Sequence, residues 1–398
     1  MELIIHFYIL SSKWYQLEVD TVKKIYKAYI ILLFIILVIP SVFVLVLPQK
    51  DYSESENRYL NQFPKIKADK VLSGKFQEDV SNAFDDQFFI RDQMMELSTS
   101  LKKMFGFKDI GGVYIADDNY YITKVTDSDI EQSKFVQNLR YLSYFVQKQN
   151  IDTNVYTMLV PSPGTVLKDK LPAFAPFYNS DSMYNTAITL LSEPCFIDIR
   201  ETLKQQEDSV FFKTDHHWTL KGAYAAYCEY CKKVNSNIKY NSYKSFNPIK
   251  MDGGFYGTLY SKSLDPKTKP DDIYAIHTDK TKNAKVISDN EKPHIGIYDE
   301  ESLVKKDKYA YFFGGNYGKT DIETGSDTKA NLLVIKDSFA NSFVPFLLED
   351  YSHITMIDLR YYNKPISKVI TETKYKHILI LYEISNFSQD KNIYKLTK

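Results

Sequence analysis

The sequence predicts an α/β fold, with a mainly parallel sheet covered by helices on both faces and one membrane-spanning helix in front of it. Three observations lead there. Short apolar runs such as Val155–Val160 and Leu332–Ile335 are too uniformly apolar to alternate between core and solvent, as strands buried on both faces are. Segments with apolar residues at helical spacing separate these runs, which is the pattern of parallel strands with crossover helices. Residues 29–47 form 19 nearly uninterrupted apolar positions without a charge. At ~1.5 Å per residue they span roughly 29 Å, the thickness of a bilayer's hydrocarbon core.

The elements follow in chain order. Lys13, Lys23, Lys24 and Lys27 precede the apolar run, so residues 1–28 are expected in the cytoplasm, the run at 29–47 as a single anchor, and the rest outside. Pro40 lies inside the run, which membrane helices tolerate. A cleaved signal peptide fits less well, because the lead before the run is long and no small-x-small site follows it. Residues 48–72 read as a polar linker, and 73–398 as one domain. Within it, 73–105 read as helical, 109–122 as a hairpin turning at Asp117-Asp118-Asn119, and 131–149 as an amphipathic helix. Val155–Val160 is a strand, 182–192 a helix, Phe196–Ile199 a strand and 219–234 a helix. Residues 240–328 read as an irregular insertion. Leu332–Ile335 is a strand leading into Ser338, followed by a helix from Phe339 to about Leu348, and Ile354–Leu359 and His377–Ile384 are two further strands.

Lys+Arg and Asp+Glu stand at 50 each and are interspersed, so the basic face that nucleic acid requires is absent. Aromatic residues make up 15% of the chain, including 32 Tyr, a side chain that suits sugar-facing surfaces but also reflects biased coding. Cys195, Cys228 and Cys231 are odd in number. The last two lie inside a helix rather than at its start, which argues for free thiols or an incidental bridge rather than redox chemistry.

Two segments carry chemistry. In Asp215-His216-His217-Trp218-Thr219 a carboxylate stands two residues before a histidine. In extended backbone both would point the same way and His216 the opposite way. That assigns His217 as a base oriented by Asp215 and leaves His216 structural. Thr219 is a good cap for a helix starting near Leu220, whose positive end favours the neutral imidazole a base requires. In Lys336-Asp337-Ser338-Phe339 a serine follows a buried strand at the end of the sheet where α/β folds bind ligands. Its own N–H, at a helix start, can donate to an oxyanion. Serine, base and carboxylate together are what nucleophilic acyl transfer needs. The plainer alternatives are an N-cap for Ser338, and a surface turn or metal pair for the histidines; the remaining histidines lack ligand spacing, so neither metal nor cofactor is expected. Arg360, one of five arginines, is a candidate for holding substrate or for an ion pair with Asp358 or Glu383. Asn316 after Gly314-Gly315, and Asn341 one turn beyond Ser338, are candidate oxyanion donors or plain turn residues.

At these residues the chain resembles the DHHW family, named for Asp215-His216-His217-Trp218. It is similar to the wider SGNH-hydrolase-like group that O-acetylates alginate and other exopolysaccharides. Ser53-Glu54 to Arg58 with Phe63-Pro64, the Phe255–Ser261 loop, Lys336–Asn341 and Asp358-Leu359-Arg360 extend the match. The resemblance implies an SGNH-type α/β/α sandwich and a triad of Ser338, His217 and Asp215. It also implies acetyl transfer between an acyl donor and a polysaccharide acceptor, beside a membrane-bound O-acyltransferase partner. Unlike the hydrolases of that group, this chain has Lys336 where a glycine precedes the Asp-Ser pair, and its Asp-His precedes its Ser. The expected function is thus an anchored extracytoplasmic polysaccharide O-acetyltransferase. A carbohydrate esterase with the same triad, or a non-catalytic glycan-binding or scaffolding protein, are the competing readings.

Overall fold

Apolar strands interleaved with helices settle into three layers, helix on sheet on helix. The structure, a computed structural model, describes residues 2–191, 193–206, 209–234, 240–289 and 291–398. Its central sheet holds β1 (Asn154–Val160), β2 (Lys285–Ser288), β3 (His294–Ile295), β4 (Lys319–Glu323), β5 (Asn331–Lys336), β6 (His353–Ile357) and β7 (His377–Glu383). The spatial order is β3-β2-β4-β6-β5-β7-β1.

β6, β5, β7 and β1 are parallel neighbours, whereas β4, β2 and β3 join antiparallel on the β6 side. The sheet is therefore mixed, which corrects the expectation of a mainly parallel one. The physical reason lies in the added strands. β4 alternates buried Thr320 and Ile322 with half-exposed Lys319 and Asp321, a pattern that suits an antiparallel margin rather than a doubly covered centre. All three added strands come from residues 240–328, so this stretch extends the sheet. It also holds a hairpin of Pro248–Phe255 with Asp271–Ile276.

The central strands are legible for the opposite reason. In β5, Leu332 and Val334 enter one core with Trp218 and Phe343, while Leu333 and Ile335 enter the other with Leu139 and Tyr184. Period-two alternation thus feeds two cores at once. Each fully buried aliphatic side chain contributes about 1.5–3 kcal/mol. With α1 given to Glu2–Val46, α2 (Gln132–Gln147) and α3 (Ser180–Leu191) cover the second face through residues such as Phe135, Leu142 and Tyr184. α4 (Leu220–Val234) covers the first through Ala223, Ala226, Tyr227 and Tyr230. Gly222 on α4 stands so close to the preceding chain that a Cβ there would lie 2.3 Å from the Val210 carbonyl oxygen.

Two further expectations are corrected. Phe196–Ile199 makes no strand, only a single bridge from Phe196 to Thr157. The helix after Ser338 is one α turn, Ala340–Phe343, tightening to 3₁₀ over Val344–Leu347, because Pro345 has no N–H to continue it. The three cysteines are free thiols, with Cys228 and Cys231 buried on α4.

The chain divides into two compact units, residues 1–54 with 58–95, and residues 55–57 with 96–398. In the first, α1 runs through Pro40, and its segment Val19–Val46 is long and apolar enough to cross a membrane. From Ile30 to Leu37 every side chain is exposed, the all-round apolar surface of a lipid-facing helix. One N-terminal apolar helix fits a single-pass anchor. In the same unit Arg58 grips buried Asp86 with two nitrogens, at 2.9 and 2.6 Å. The Arg58 hydrogen bonds hold the Asp86 carboxyl well below the usual range, against the opposing effect of burial.

The anchor reading is testable by phase separation. Full-length protein is expected in the detergent phase of Triton X-114, and protein lacking residues 1–47 in the aqueous phase; aqueous partitioning of both would refute it.

Candidate active site

β5 ends at Lys336 and delivers Ser338 into a tight turn at the C-terminal edge of the parallel strands. Asp337 shapes that turn. One carboxylate oxygen accepts the Phe339 N–H at 3.0 Å, and the other accepts the Glu383 N–H at 2.9 Å and the Asn386 amide at 3.1 Å. The Ser338 turn is thereby tied to the end of β7. The N–H of Ser338 itself has no partner among the described residues.

The opposing segment, residues 213–218, is a bend whose geometry comes from carboxylates. Asp271 accepts from the Lys213 N–H at 2.9 Å, the Thr214 N–H at 2.7 Å and the Thr214 hydroxyl at 2.6 Å. Next, Asp215 accepts through one oxygen from the His217 N–H at 3.0 Å and from His217 Nδ1 at 2.6 Å. Its other oxygen accepts the Thr258 N–H at 2.8 Å and the Thr258 hydroxyl at 3.0 Å. Burial alone would raise the Asp215 carboxyl, but the two imidazoles and these donors hold it well below the usual range, so it is an anion. Gly257 makes the approach possible: a Cβ there would lie 2.2 Å from the Asp215 Cβ.

His217 Nε2 lies 2.7 Å from Ser338 Oγ. With Nδ1–H donating to Asp215, Nε2 carries the lone pair that the serine hydroxyl meets. Asp215, His217 and Ser338 are 2%, 5% and 9% exposed, which keeps water from competing for these hydrogen bonds. Two aromatic residues brace the arrangement. Trp218 donates from its indole to the Phe339 carbonyl at 3.0 Å and to the Ser342 hydroxyl at 2.9 Å. Tyr309 stacks on the His217 ring at 3.8 Å and donates its hydroxyl to the Ser338 carbonyl at 3.1 Å. Neither Tyr309 nor Asp271 was found by sequence reasoning, since nothing local marks a residue that acts across the fold. Thr258 lies in the Phe255–Ser261 loop, where no local pattern marks its role.

His216 departs from expectation. Alternation would send it away from His217, yet the two rings lie 3.9 Å apart. The reason is the bend: Asp215 turns back on the His217 N–H, so the backbone is not extended and alternation does not apply. His216 Nδ1 instead meets the Thr258 hydroxyl at 2.7 Å. Burial, then the neighbouring His217, pushes its pKa down to about 4.

Of the two candidate oxyanion amides, Asn341 has its hydrogens engaged elsewhere, while Asn316 is engaged through its oxygen. Lys336 is buried and donates to Asn316 Oδ1 at 2.9 Å and Asn341 Oδ1 at 2.6 Å. The Asn341 amide nitrogen donates to the Gly315 carbonyl at 3.3 Å and to Asn316 Oδ1 at 3.2 Å, so both its hydrogens are used. Asn316 is exposed. Arg360 is clamped by Asp358 at 2.9 and 2.6 Å, the ion-pair alternative. Asp215, His216 and His217 also bring potential metal-donor atoms within 4.8 Å of one another. Every nitrogen of that set except His216 Nε2 already has a protein partner, and both carboxylate oxygens are filled by hydrogen-bond donors. A cavity of about 300 Å³ adjoins the pair of segments, with His216, Phe339, Thr258, Ser162, Glu383 and Asn386 in its wall.

Two outcomes test this geometry. Gly257→Ala is expected to cost about 1–3 kcal/mol by overpacking against Asp215, measured by urea unfolding; no loss would refute the contact. Burial pushes the Lys336 ammonium down to about 8, so between there and the ordinary value of 10.5 the unfolded chain holds a proton the folded chain has lost. Stability attributable to this group therefore rises with pH across that window. Lys336→Met is expected to lose that rise, about 3 kcal/mol at most; identical pH dependence of the unfolding midpoint in both proteins would refute it.

Residues 177–357 match the DHHW protein family. A DHHW family protein of Eubacterium siraeum superposes with a TM-score of 0.61 at 21% identity, covering 72% of this chain and 95% of that one. Bacillus cereus PatB1, solved with a sulfonyl adduct, superposes with a TM-score of 0.57 at 22% identity, covering 72% of this chain and all of that one. No curated protein matches the chain. At such identities the likeness is one of fold. The chain thus resembles the DHHW family across the segment that holds Asp215, His217 and Ser338, and shares the fold of these two solved proteins.

Proposed function

We propose that this protein is a membrane-anchored serine O-acyltransferase that acts outside the membrane on polysaccharide hydroxyls. The observation that carries the reading is the chain of contacts from Asp215 through His217 to Ser338, 2.6 and 2.7 Å long. The Ser338 oxygen attacks the carbonyl carbon of an acyl donor while its proton passes to His217 Nε2. The free Ser338 N–H faces the negative charge that develops on the carbonyl oxygen. His217 then returns the proton to the departing group, leaving an acyl-serine. A sugar hydroxyl repeats the attack, loses its proton to His217, and carries the acyl group away. Asp215 stays ionised throughout and steadies the imidazolium. The resemblance to the alginate-acetylating group favours acetyl as the acyl group and supports a membrane-bound O-acyltransferase as the donor's source.

Purified full-length protein in detergent, given 4-nitrophenyl acetate, is expected to release a burst of nitrophenol and retain one acetyl per chain. Ser338→Ala should abolish both, and Asp215→Asn should lower turnover by at least about 10²-fold. Equal turnover by wild type and Ser338→Ala would overturn the reading.

A further inference from the structure

The wall of the cavity that adjoins Phe339 includes an imidazole nitrogen that no described residue meets. That atom is Nε2 of His216, and its protonation follows from its neighbours. Thr258 has a single hydroxyl proton, and its oxygen lies 3.0 Å from Asp215 Oδ2 and 2.7 Å from His216 Nδ1. Asp215 is an anion with no proton to give, so the Thr258 proton must point to it; the reverse would set a lone pair against the carboxylate. The Thr258 oxygen can then only accept from His216, which fixes the proton on Nδ1. Asp215 Oδ1, 3.6 Å from the same Nδ1, adds to that preference. A neutral His216 therefore bears its lone pair on Nε2, and among the described residues nothing donates to it.

The other buried polar groups of the cavity wall are committed. Ser162 donates to Glu383 and meets the Tyr178 hydroxyl at 2.7 Å. The second Glu383 oxygen accepts from the Ser385 hydroxyl at 2.6 Å and the Asn386 N–H at 2.8 Å. The His216 side chain is 34% exposed, and the exposed Lys262 stands in the same wall. Its ring lies against His217 at 3.9 Å and near Phe339 at 6.1 Å, so it stands beside both the base and the residue after the nucleophile.

We propose that His216 Nε2 accepts a hydrogen bond from a hydroxyl of the sugar acceptor seated in this cavity, orienting a neighbouring hydroxyl of the same sugar toward the acyl-serine. This rests on the acyl-transfer reading above and adds to it a residue that selects the acceptor over water. The hydroxyl held by His216 keeps its proton. The attacking one gives its proton to His217 as its oxygen bonds to the acyl carbon, and His217 passes that proton to Ser338 Oγ as the Oγ–acyl bond breaks. The cavity's size, about 300 Å³, suits a single sugar unit.

The test separates the two half-reactions. Full-length protein in detergent is acylated with 4-nitrophenyl acetate, and acetyl release to methyl β-glucopyranoside is compared with release to water. His216→Phe removes the acceptor nitrogen but keeps a ring of similar size, and is expected to lower the transfer-to-hydrolysis ratio about tenfold. His216→Gln, whose amide oxygen can accept, should recover the ratio to within about threefold of wild type. An unchanged ratio in both variants overturns the inference, as does a wild-type burst without any transfer to the sugar. Absence of the burst in wild type would instead overturn the Ser338 mechanism, and the inference with it.

Discussion

One buried carboxylate organises the site. Asp215 accepts four hydrogen bonds from two residues, His217 and Thr258, the first two positions further along the chain and the second in a separate loop. A buried anion is tolerable only when it is so surrounded, since an unpaired one costs several kcal/mol. The requirement runs outward. Thr258 must offer both its N–H and its hydroxyl, Gly257 must lack a Cβ to let it approach, and both histidines inherit their tautomers from the same two oxygens.

Around that anion the structure holds His217 and Ser338 by different means. Ser338 is fixed through backbone, by a turn closed on Asp337 at the end of a fully buried strand. His217 is fixed through its ring, between the Asp215 hydrogen bond and the Tyr309 stack. Trp218 and Tyr309 then join the two by reaching to the same turn, where Ser342 meets both the indole and the phenol. Preorganised groups of this kind lower a barrier without having to move during the reaction.

The legible and illegible parts of the sequence differ in the range of the forces involved. β1, β5 and β7 can be read because each is an apolar run buried on both faces, and α2 because its apolar residues keep helical period. β2, β3 and β4 cannot, because short marginal strands mix polar and apolar residues like a loop. Asp215 and His217 stand out by local spacing, and Ser338 by its place after a strand. Thr258, Asp271 and Tyr309 carry no such mark, because each matters only through a contact tens of residues away. The placing of His216 failed for a different reason: alternation assumes extended backbone, and the Asp215 side chain bends that backbone onto itself. The oxyanion candidates Asn316 and Asn341 could not be weighed without Lys336, whose burial beneath them no local pattern reveals.

The separation of 121 residues between His217 and Ser338 has a bearing on how the chain reaches its destination. Until β5 has paired with β6 and β7 and the 240–328 stretch has docked, the serine is an ordinary alcohol with no base beside it. Reactivity is therefore a property of the completed fold and not of any segment of it. A nascent chain threaded across a membrane behind α1 would travel in a chemically inert form and acquire its nucleophile only on the side where it folds. On the acyl-transfer reading, the topology of the sheet itself keeps Ser338 silent until the fold is complete.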